Sequence, residues 1–260
     1  MDIQCHWCPQ ERNIMGLTEK TIIYGDSFSS LDYIRTLCDI HRGQMWYAPL
    51  VCGELTDRTR AGKSPFTMFL QATHDAITEA SPVRMIVALG ACHRLPTYTD
   101  GWYGEEQLKP VDPNTPLPDP VRPTTLSDCE KYLDRASMTK DNLPQFHPTL
   151  MWAMIYKGIV DLGLRCAEHG HQLLVLHMNT TPTTPWINKT HPLIAPLCQR
   201  AESMQNYIME VDSCCHICQQ SDVRPLDYDS YNWQGHHGPE GQAIFGKHIK
   251  KLIAQRQLWN

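Results

Sequence analysis

Short apolar runs alternate along this chain with segments of helical periodicity, and this alternation limits the fold more than any other feature. Thr21–Tyr24, Arg84–Leu89 and Leu173–Met178 are rich in apolar and β-branched residues, as expected of strands that are covered on both faces. Met45–Cys52 and Val223–Leu226 show a weaker pattern of the same kind. The sequence therefore predicts five strands.

Apolar residues at helical spacing lie between these predicted strands. Pro65 is placed to begin one helix, and we expect its inward face to carry Phe66, Phe69, Leu70, Thr73 and Ile77. Further helices are predicted over about 149–168, near 197–211 and after Pro239, with Gly170 placed to end the first of them. Strands that alternate with helices pair in parallel through right-handed crossovers. We therefore expect an α/β fold, a three-layer αβα sandwich with a mainly parallel, flavodoxin-like sheet of order 2-1-3-4-5.

The chain of 260 residues is interpreted as one domain, 1–260. Proline is concentrated in 94–147, which includes the stretch PVDPNTPLPDPVRP. Long irregular segments within a compact domain are usually lids or binding surfaces, so we expect 94–147 to be an insertion of that kind. The first fifteen residues, 1–15, form a separate N-terminal segment that carries a CxxC motif.

Charge and hydropathy exclude two classes of partner. The formal net charge is −5, and no Lys/Arg cluster is present of the kind that nucleic-acid binding requires. No apolar run approaches the ~20 residues of a membrane-spanning helix. The first residues also lack the basic and apolar regions of a secretory signal, so we expect a cytoplasmic or otherwise non-secreted protein.

Polar residues follow the predicted strands, where the carboxyl ends of a parallel sheet form a crevice. They are Asp26-Ser27, Gly62, Gly90–His93, His177-Asn179 and His236-His237. A serine hydroxyl is a weak nucleophile until a base within hydrogen-bond reach takes its proton. A serine from one strand end and a histidine from another therefore predict nucleophilic acyl transfer.

Four sequence blocks occur in order at these strand ends: GDSFS at 25–29, Gly62, VALGACH at 87–93 and HHGPEGQAIFGKHI at 236–249. In this order they resemble the blocks of the SGNH/GDSL hydrolases, a superfamily of esterases, lipases and acetylesterases. The resemblance implies Ser27 as the nucleophile and His236, rather than His237, as the base. It also implies an oxyanion hole formed by Ser27 and Gly62, with Cys92 at the third oxyanion position.

Two positions depart from the family pattern. Cys92 and His93 stand where the family has Asn-Asp, and a thiol is only a weak hydrogen-bond donor. Trp233 stands where the family has the aspartate that orients the histidine. Asp229 or Asp227 could supply that carboxylate instead. The alternative is a catalytically degenerate module with a structural or binding role in a larger assembly.

The activity that the resemblance implies is hydrolysis of an acyl or acetyl ester. The expected substrate is a small molecule or a carbohydrate ester, and no cofactor is required for the chemistry. Protein partners remain open, because neither the motifs nor the composition addresses them.

Eleven cysteines include two pairs with the same pattern, C-H-apolar-C. Cys5 with Cys8, and Cys215 with Cys218, have the spacing with which two thiolates grip one face of a tetrahedral zinc ion. We expect both pairs at the amino end of the sheet, opposite the crevice, where they would bind one structural zinc. The alternative is that these cysteines are free thiols or a disulfide.

Overall fold

The structure is a computed structural model that describes residues 20–61, 63, 65–90, 95–96, 123–124, 148–178, 189–204, 214–223, 226 and 236–256. Its central sheet has four parallel strands in the order β2-β1-β3-β4. The strands are β1 (Lys20–Gly25), β2 (Glu54–Asp57), β3 (Arg84–Leu89) and β4 (Gln172–His177). The predicted α/β class, the parallel pairing and the order of the first four strands are confirmed.

Six α-helices are found in the described part of the chain. They are α1 (Leu31–Arg35), α2 (Pro65–Thr78), α3 (Pro148–His169), α4 (Ala195–Glu202), α5 (Cys214–Gln220) and α6 (Pro239–Gln255). Two 3-10 helices, Arg42–Gln44 and Ala48–Leu50, precede β2, and a separate antiparallel pair joins Leu95–Pro96 to Pro123–Thr124. Gly170 ends α3 with a φ of +75°, as the sequence predicts.

Helices pack against both faces of the sheet, so β1, β3 and β4 are buried on both of their faces. Alternate residues of a strand point to opposite faces, and Ile22 therefore packs in one apolar core while Ile23 packs in the other. The first core lies under α2, α3 and α4. The second lies under α1, the 3-10 helices, α5 and α6. The three-layer arrangement explains why β3 and β4 are apolar along most of their length.

The second strand is not where the sequence predicted it. Met45–Cys52 contains a 3-10 helix instead, and β2 follows it at Glu54–Asp57. Pro49 cannot donate to a strand ladder, while Trp46 is fully buried against α6. The apolar character of this segment therefore reflects its burial beneath a helix, and the edge strand β2 is only partly buried.

The predicted fifth strand, Val223–Leu226, lies partly outside the described residues. Val223 and Leu226 are described, and neither belongs to a strand. The amide of Leu226 donates to the carbonyl oxygen of His236 at 2.6 Å. Leu226 therefore lies beside the residues that lead into α6.

The inward face of α2 also differs from the prediction. Phe69 is buried, but Leu70 is 70% exposed and Ile77 is 52% exposed. The buried face includes Asp75, whose carboxylate accepts a hydrogen bond from the Tyr24 hydroxyl at 2.7 Å. A charged residue with a buried partner thus occupies a core position, and apolarity alone predicted the wrong rotation of the helix.

None of the described helices is long and apolar enough to cross a membrane. The N-terminal segment 1–15 lies outside the described residues, and so does nearly all of the proline-rich segment 94–147.

Candidate active site

The turn that carries Ser27 joins β1 to α1 and is fixed by its own backbone. The amides of Ser29 and Ser30 both donate to the carbonyl oxygen of Asp26 at 3.0 Å, and the amide of Phe28 donates to the Asp26 carboxylate at 3.1 Å. Gly25 is required because a Cβ there would lie 2.6 Å from the Cβ of Ser29. These contacts hold Ser27 at the carboxyl end of β1, with 4% of its surface exposed.

Asp26 links this turn to the end of the neighbouring strand. Its carboxylate lies against the Cα of Gly90, the residue that follows β3, so that any side chain at Gly90 would overlap it. Asp26 is fully buried. The GDS block and the VALG block of the sequence therefore meet in space, as their positions at adjacent strand ends predicted.

His236 lies beside the Ser27 turn. Its ring stacks on Phe28, the residue after Ser27, with 4.5 Å between ring centroids and an interplanar angle of 23°. Tyr33 of α1 contacts the same imidazole at a centroid distance of 4.8 Å. His236 is 9% exposed. The imidazole thus packs on the residue that follows Ser27, although the two are far apart in sequence.

The segment after β2 runs alongside β1 toward this site. The amide of Arg58 donates to the carbonyl of Ile23 at 2.8 Å, and the amide of Arg60 donates to the carbonyl of Gly25 at 3.0 Å. The ammonium group of the buried Lys63 donates to the carbonyl of Arg58. Gly62 itself is outside the described residues. Before it, Arg58 and Arg60 bond to β1, and after it, Lys63 bonds to Arg58.

A half-buried ion pair also holds the same segment. The Asp75 carboxylate accepts from the Tyr24 hydroxyl at 2.7 Å and pairs with the Arg58 guanidinium at 3.3 Å. Burial, together with the hydrogen bond to Asp75, raises the pKa of Tyr24 above its ordinary value. The Tyr24 hydroxyl therefore remains protonated and acts as a donor to the carboxylate.

Of the predicted site residues, Ser27 and His236 are described, and Phe28, the residue after Ser27, links them by stacking on the His236 ring. The other predicted members of the site are Gly62, Cys92, Asp227 and Asp229, and all four fall outside the described residues.

Phe28, Tyr33 and Gln242 contact or support the His236 segment, and the sequence reasoning did not find them. Gln242 is a polar residue on the inward stripe of α6 that also contains Phe245 and Ile249. A polar residue on an apolar stripe is the signal that could have identified it.

Of the four cysteines expected to bind a structural zinc, only Cys218 has a side chain that the structure describes. Cys5, Cys8 and the side chain of Cys215 lie outside the described residues, which contain no group of three or more metal-binding side chains. Cys215 and Cys218 lie on helix α5, rather than in the tight turn that the CxxC spacing predicted. Cys218 is buried beside α6, and its thiol donates to the Gly241 carbonyl at 3.6 Å. This thiol has the environment of a packed core group.

No protein-family model matches the chain, and no curated protein matches it. Solved structures do give matches. A lipolytic protein of the G-D-S-L family from Veillonella parvula is 11% identical with a TM-score of 0.42, and the match covers 91% of this chain and 98% of that one. TesA is 10% identical with a TM-score of 0.45, over 91% of this chain and 99% of its own.

A catalytic mutant of Axe2, an acetylxylan esterase from Geobacillus stearothermophilus, is 10% identical with a TM-score of 0.42. That match covers 94% of this chain and 96% of the esterase. The Veillonella protein carries the name of the family that the sequence blocks resemble. Identities and TM-scores this low do not by themselves assign an activity to this chain.

Proposed function

We propose that this chain is a serine ester hydrolase in which Ser27 is the nucleophile and His236 is the general base. The observation that carries the proposal is the stacking of the His236 ring on Phe28, the residue next to Ser27, at 4.5 Å. A general base must lie within reach of the proton that it abstracts. The proposed base precedes α6 by three residues, and its contact with Phe28 supports a position next to the turn that carries the proposed nucleophile.

The proposed reaction has two steps. The Ser27 oxygen attacks the ester carbonyl while His236 takes the hydroxyl proton, and the resulting imidazolium returns that proton to the departing alcohol. Water then attacks the acyl-serine with His236 again as base, which releases the carboxylic acid and restores the serine. Backbone amides of Ser27 and Gly62 are the proposed donors to the oxyanion, with Cys92 as a weaker third.

The aromatic contacts support this role for His236. Phe28 presents its ring nearly parallel to the imidazole, and Tyr33 covers it from α1. Such packing restricts the rotation of the ring, and an aromatic face attracts the imidazolium that forms during the reaction by about 0.5–2 kcal/mol. Asp229 and Asp227 are the proposed candidates for the carboxylate that orients the ring.

The burial of the serine favours a short acyl group. Ser27 is 4% exposed and His236 is 9% exposed, so a bulky acyl group would have to displace the residues that cover them. An acetyl ester, on a small alcohol or on a sugar, is the substrate class that fits this limit.

The decisive experiment is labelling with a fluorophosphonate probe, combined with turnover of nitrophenyl acetate. We expect the wild type to be labelled at Ser27, and Ser27→Ala to lose labelling and on the order of 10⁴–10⁶-fold in kcat. Ser29→Ala is the matched control, because Ser29 is fully buried in the same turn and its hydroxyl has no hydrogen-bond partner among the residues that the structure describes. Its Cβ, which packs on Gly25, is kept.

A binding module without catalytic activity is the second candidate. It is favoured by Cys92 and Trp233 at positions where the family has catalytic asparagine and aspartate, and by the burial of Ser27. A folded wild type that neither reacts with the probe nor hydrolyses nitrophenyl acetate would establish this second candidate over the first.

A further inference from the structure

Gln242 lies in the first turn of α6 and is 2% exposed. Its side-chain oxygen accepts a hydrogen bond from the Trp46 amide at 3.0 Å, and its side-chain nitrogen donates to the His237 carbonyl at 3.2 Å. One buried amide group thus joins the backbone before β2 to the backbone beside His236. Only a side chain with both a donor and an acceptor can make this bridge.

The Trp46 end of the bridge is rigid. Trp46 is fully buried, and its ring packs edge-on against Phe245 with 5.5 Å between centroids. The Trp46 carbonyl lies so close to Gly246 that any side chain at Gly246 would overlap it. The Gln242 oxygen is therefore bonded to a backbone segment that is already locked against α6.

The other end of the bridge acts on the histidine segment. The carbonyl of His237 is bonded to Gln242, while the carbonyl of the preceding residue, His236, accepts from the Leu226 amide at 2.6 Å. Two successive carbonyls are thus fixed from two sides. This fixes the direction in which the His236 side chain leaves the backbone and keeps its ring over Phe28.

We infer that Gln242 is a positioning residue that holds the His236 imidazole beside Ser27 by tying the His237 carbonyl to the Trp46 amide. The inference rests on the proposed function for its catalytic consequence, but not for its structural one. A misplacement of about 1 Å can lower a rate by roughly a hundredfold. Loss of the bridge should therefore lower kcat far more than it changes KM.

The test uses Gln242→Met, which keeps the length of the side chain and removes both hydrogen bonds. We expect roughly a ten- to hundredfold lower kcat on nitrophenyl acetate with little change in KM. In histidine-selective NMR spectra the Phe28 ring should shift the His236 carbon-bound protons of the wild type. We expect these resonances to move toward their values in an unstructured peptide in Gln242→Met.

His171→Leu is the matched control. His171 also bridges a backbone amide, that of Val83 at 3.1 Å, and a backbone carbonyl, that of Ala76 at 2.9 Å. It does so at the start of β4, which is the opposite end of the sheet from Ser27. This variant should lose comparable thermal stability but keep the wild-type kcat and the wild-type His236 resonances.

Gln242→Glu provides the same test if Gln242→Met does not fold, because an ionised carboxylate still accepts from the Trp46 amide but cannot donate to His237. Unchanged His236 resonances in a folded Gln242 variant would overturn the inference. A wild type without esterase activity whose His236 resonances still move in the Gln242 variants would refute the hydrolase and leave the positioning role intact.

Discussion

At Gly90 the chain lacks a side chain because another residue occupies that space. The Asp26 carboxylate lies against the Gly90 Cα and is fully buried there. Asp26 in turn holds the amides of Phe28, Ser29 and Ser30 through its side chain and its carbonyl. The absence of a Cβ at Gly90, directly after β3, therefore allows Asp26 to hold the Ser27 turn in its observed position.

Gly90→Ala tests this dependence. The new Cβ must displace Asp26, so we expect the free energy of unfolding to fall by about 1–3 kcal/mol and fluorophosphonate labelling of Ser27 to decrease. Urea denaturation and a labelling time course measure the two effects. Gly43→Ala is the control, because the nearest atoms there belong to the exposed His41 ring at 3.3 Å and can move away. Equal labelling rates in the two variants would contradict the proposed dependence.

At the scale of elements, the sequence predicted best those whose pattern depends only on local apolarity. β3 was predicted at Arg84–Leu89 and is found there, and the last helix begins at Pro239 as predicted. The predictions are wrong where the burial of a residue depends on a partner that is distant in the sequence. Asp75 is buried because Tyr24, 51 residues earlier, bonds to it. Met45–Cys52 is apolar because α6 covers it.

The same reasoning explains which parts of the site could be predicted. Ser27 and His236 were identified because they belong to short blocks at the ends of elements. Gln242 was missed because its partner Trp46 is 196 residues away, and no local pattern reveals such a bond. Phe28 and Tyr33 were missed because apolar residues beside a catalytic block resemble ordinary core residues.

His171 joins three elements and makes their packing sensitive to pH. Its ring bonds to the amide that precedes β3 and to a carbonyl near the end of α2, and it precedes β4. Burial lowers the pKa of His171 below its ordinary value. The unfolded chain therefore takes up a proton at this residue before the folded chain does.

The contribution of His171 to the free energy of unfolding should accordingly be fully present above the unfolded pKa of about 6.5. It should be lost as the pH decreases below that value. Urea denaturation between pH 8 and pH 5 measures this dependence. His171→Leu removes the titrating group, so its unfolding free energy should be lower at pH 8 and should decline less steeply toward pH 5. A slope equal to that of the wild type would show that other groups cause the dependence.

At the scale of the whole molecule, the same strands contribute residues to the two cores on opposite faces of the sheet. We therefore expect the two cores to unfold together. Cys166 in the first core is fully buried, and burial raises the pKa of its thiol to about 12. Cys218 in the second core is also fully buried. Neither thiolate is available to an alkylating reagent in the folded state.

Timed alkylation with mass spectrometry uses these thiols as reporters. We expect the partly exposed Cys52 to react in the native protein, and Cys166 and Cys218 to react only at the rate of global unfolding. Adding urea below the transition should accelerate both buried cysteines in parallel. Faster reaction of one than of the other would show that the two faces of the sheet open separately.

The bond between Trp46 and Gln242 also has a consequence for biosynthesis. Its partners are separated by 196 residues, and the His236 imidazole reaches Phe28 from the same late part of the chain. A nascent polypeptide can form its first strands on the ribosome, but it cannot complete this contact until α6 has been translated. The proposed esterase activity should therefore appear only after α6 has been translated, and termination before α6 should yield an inert product.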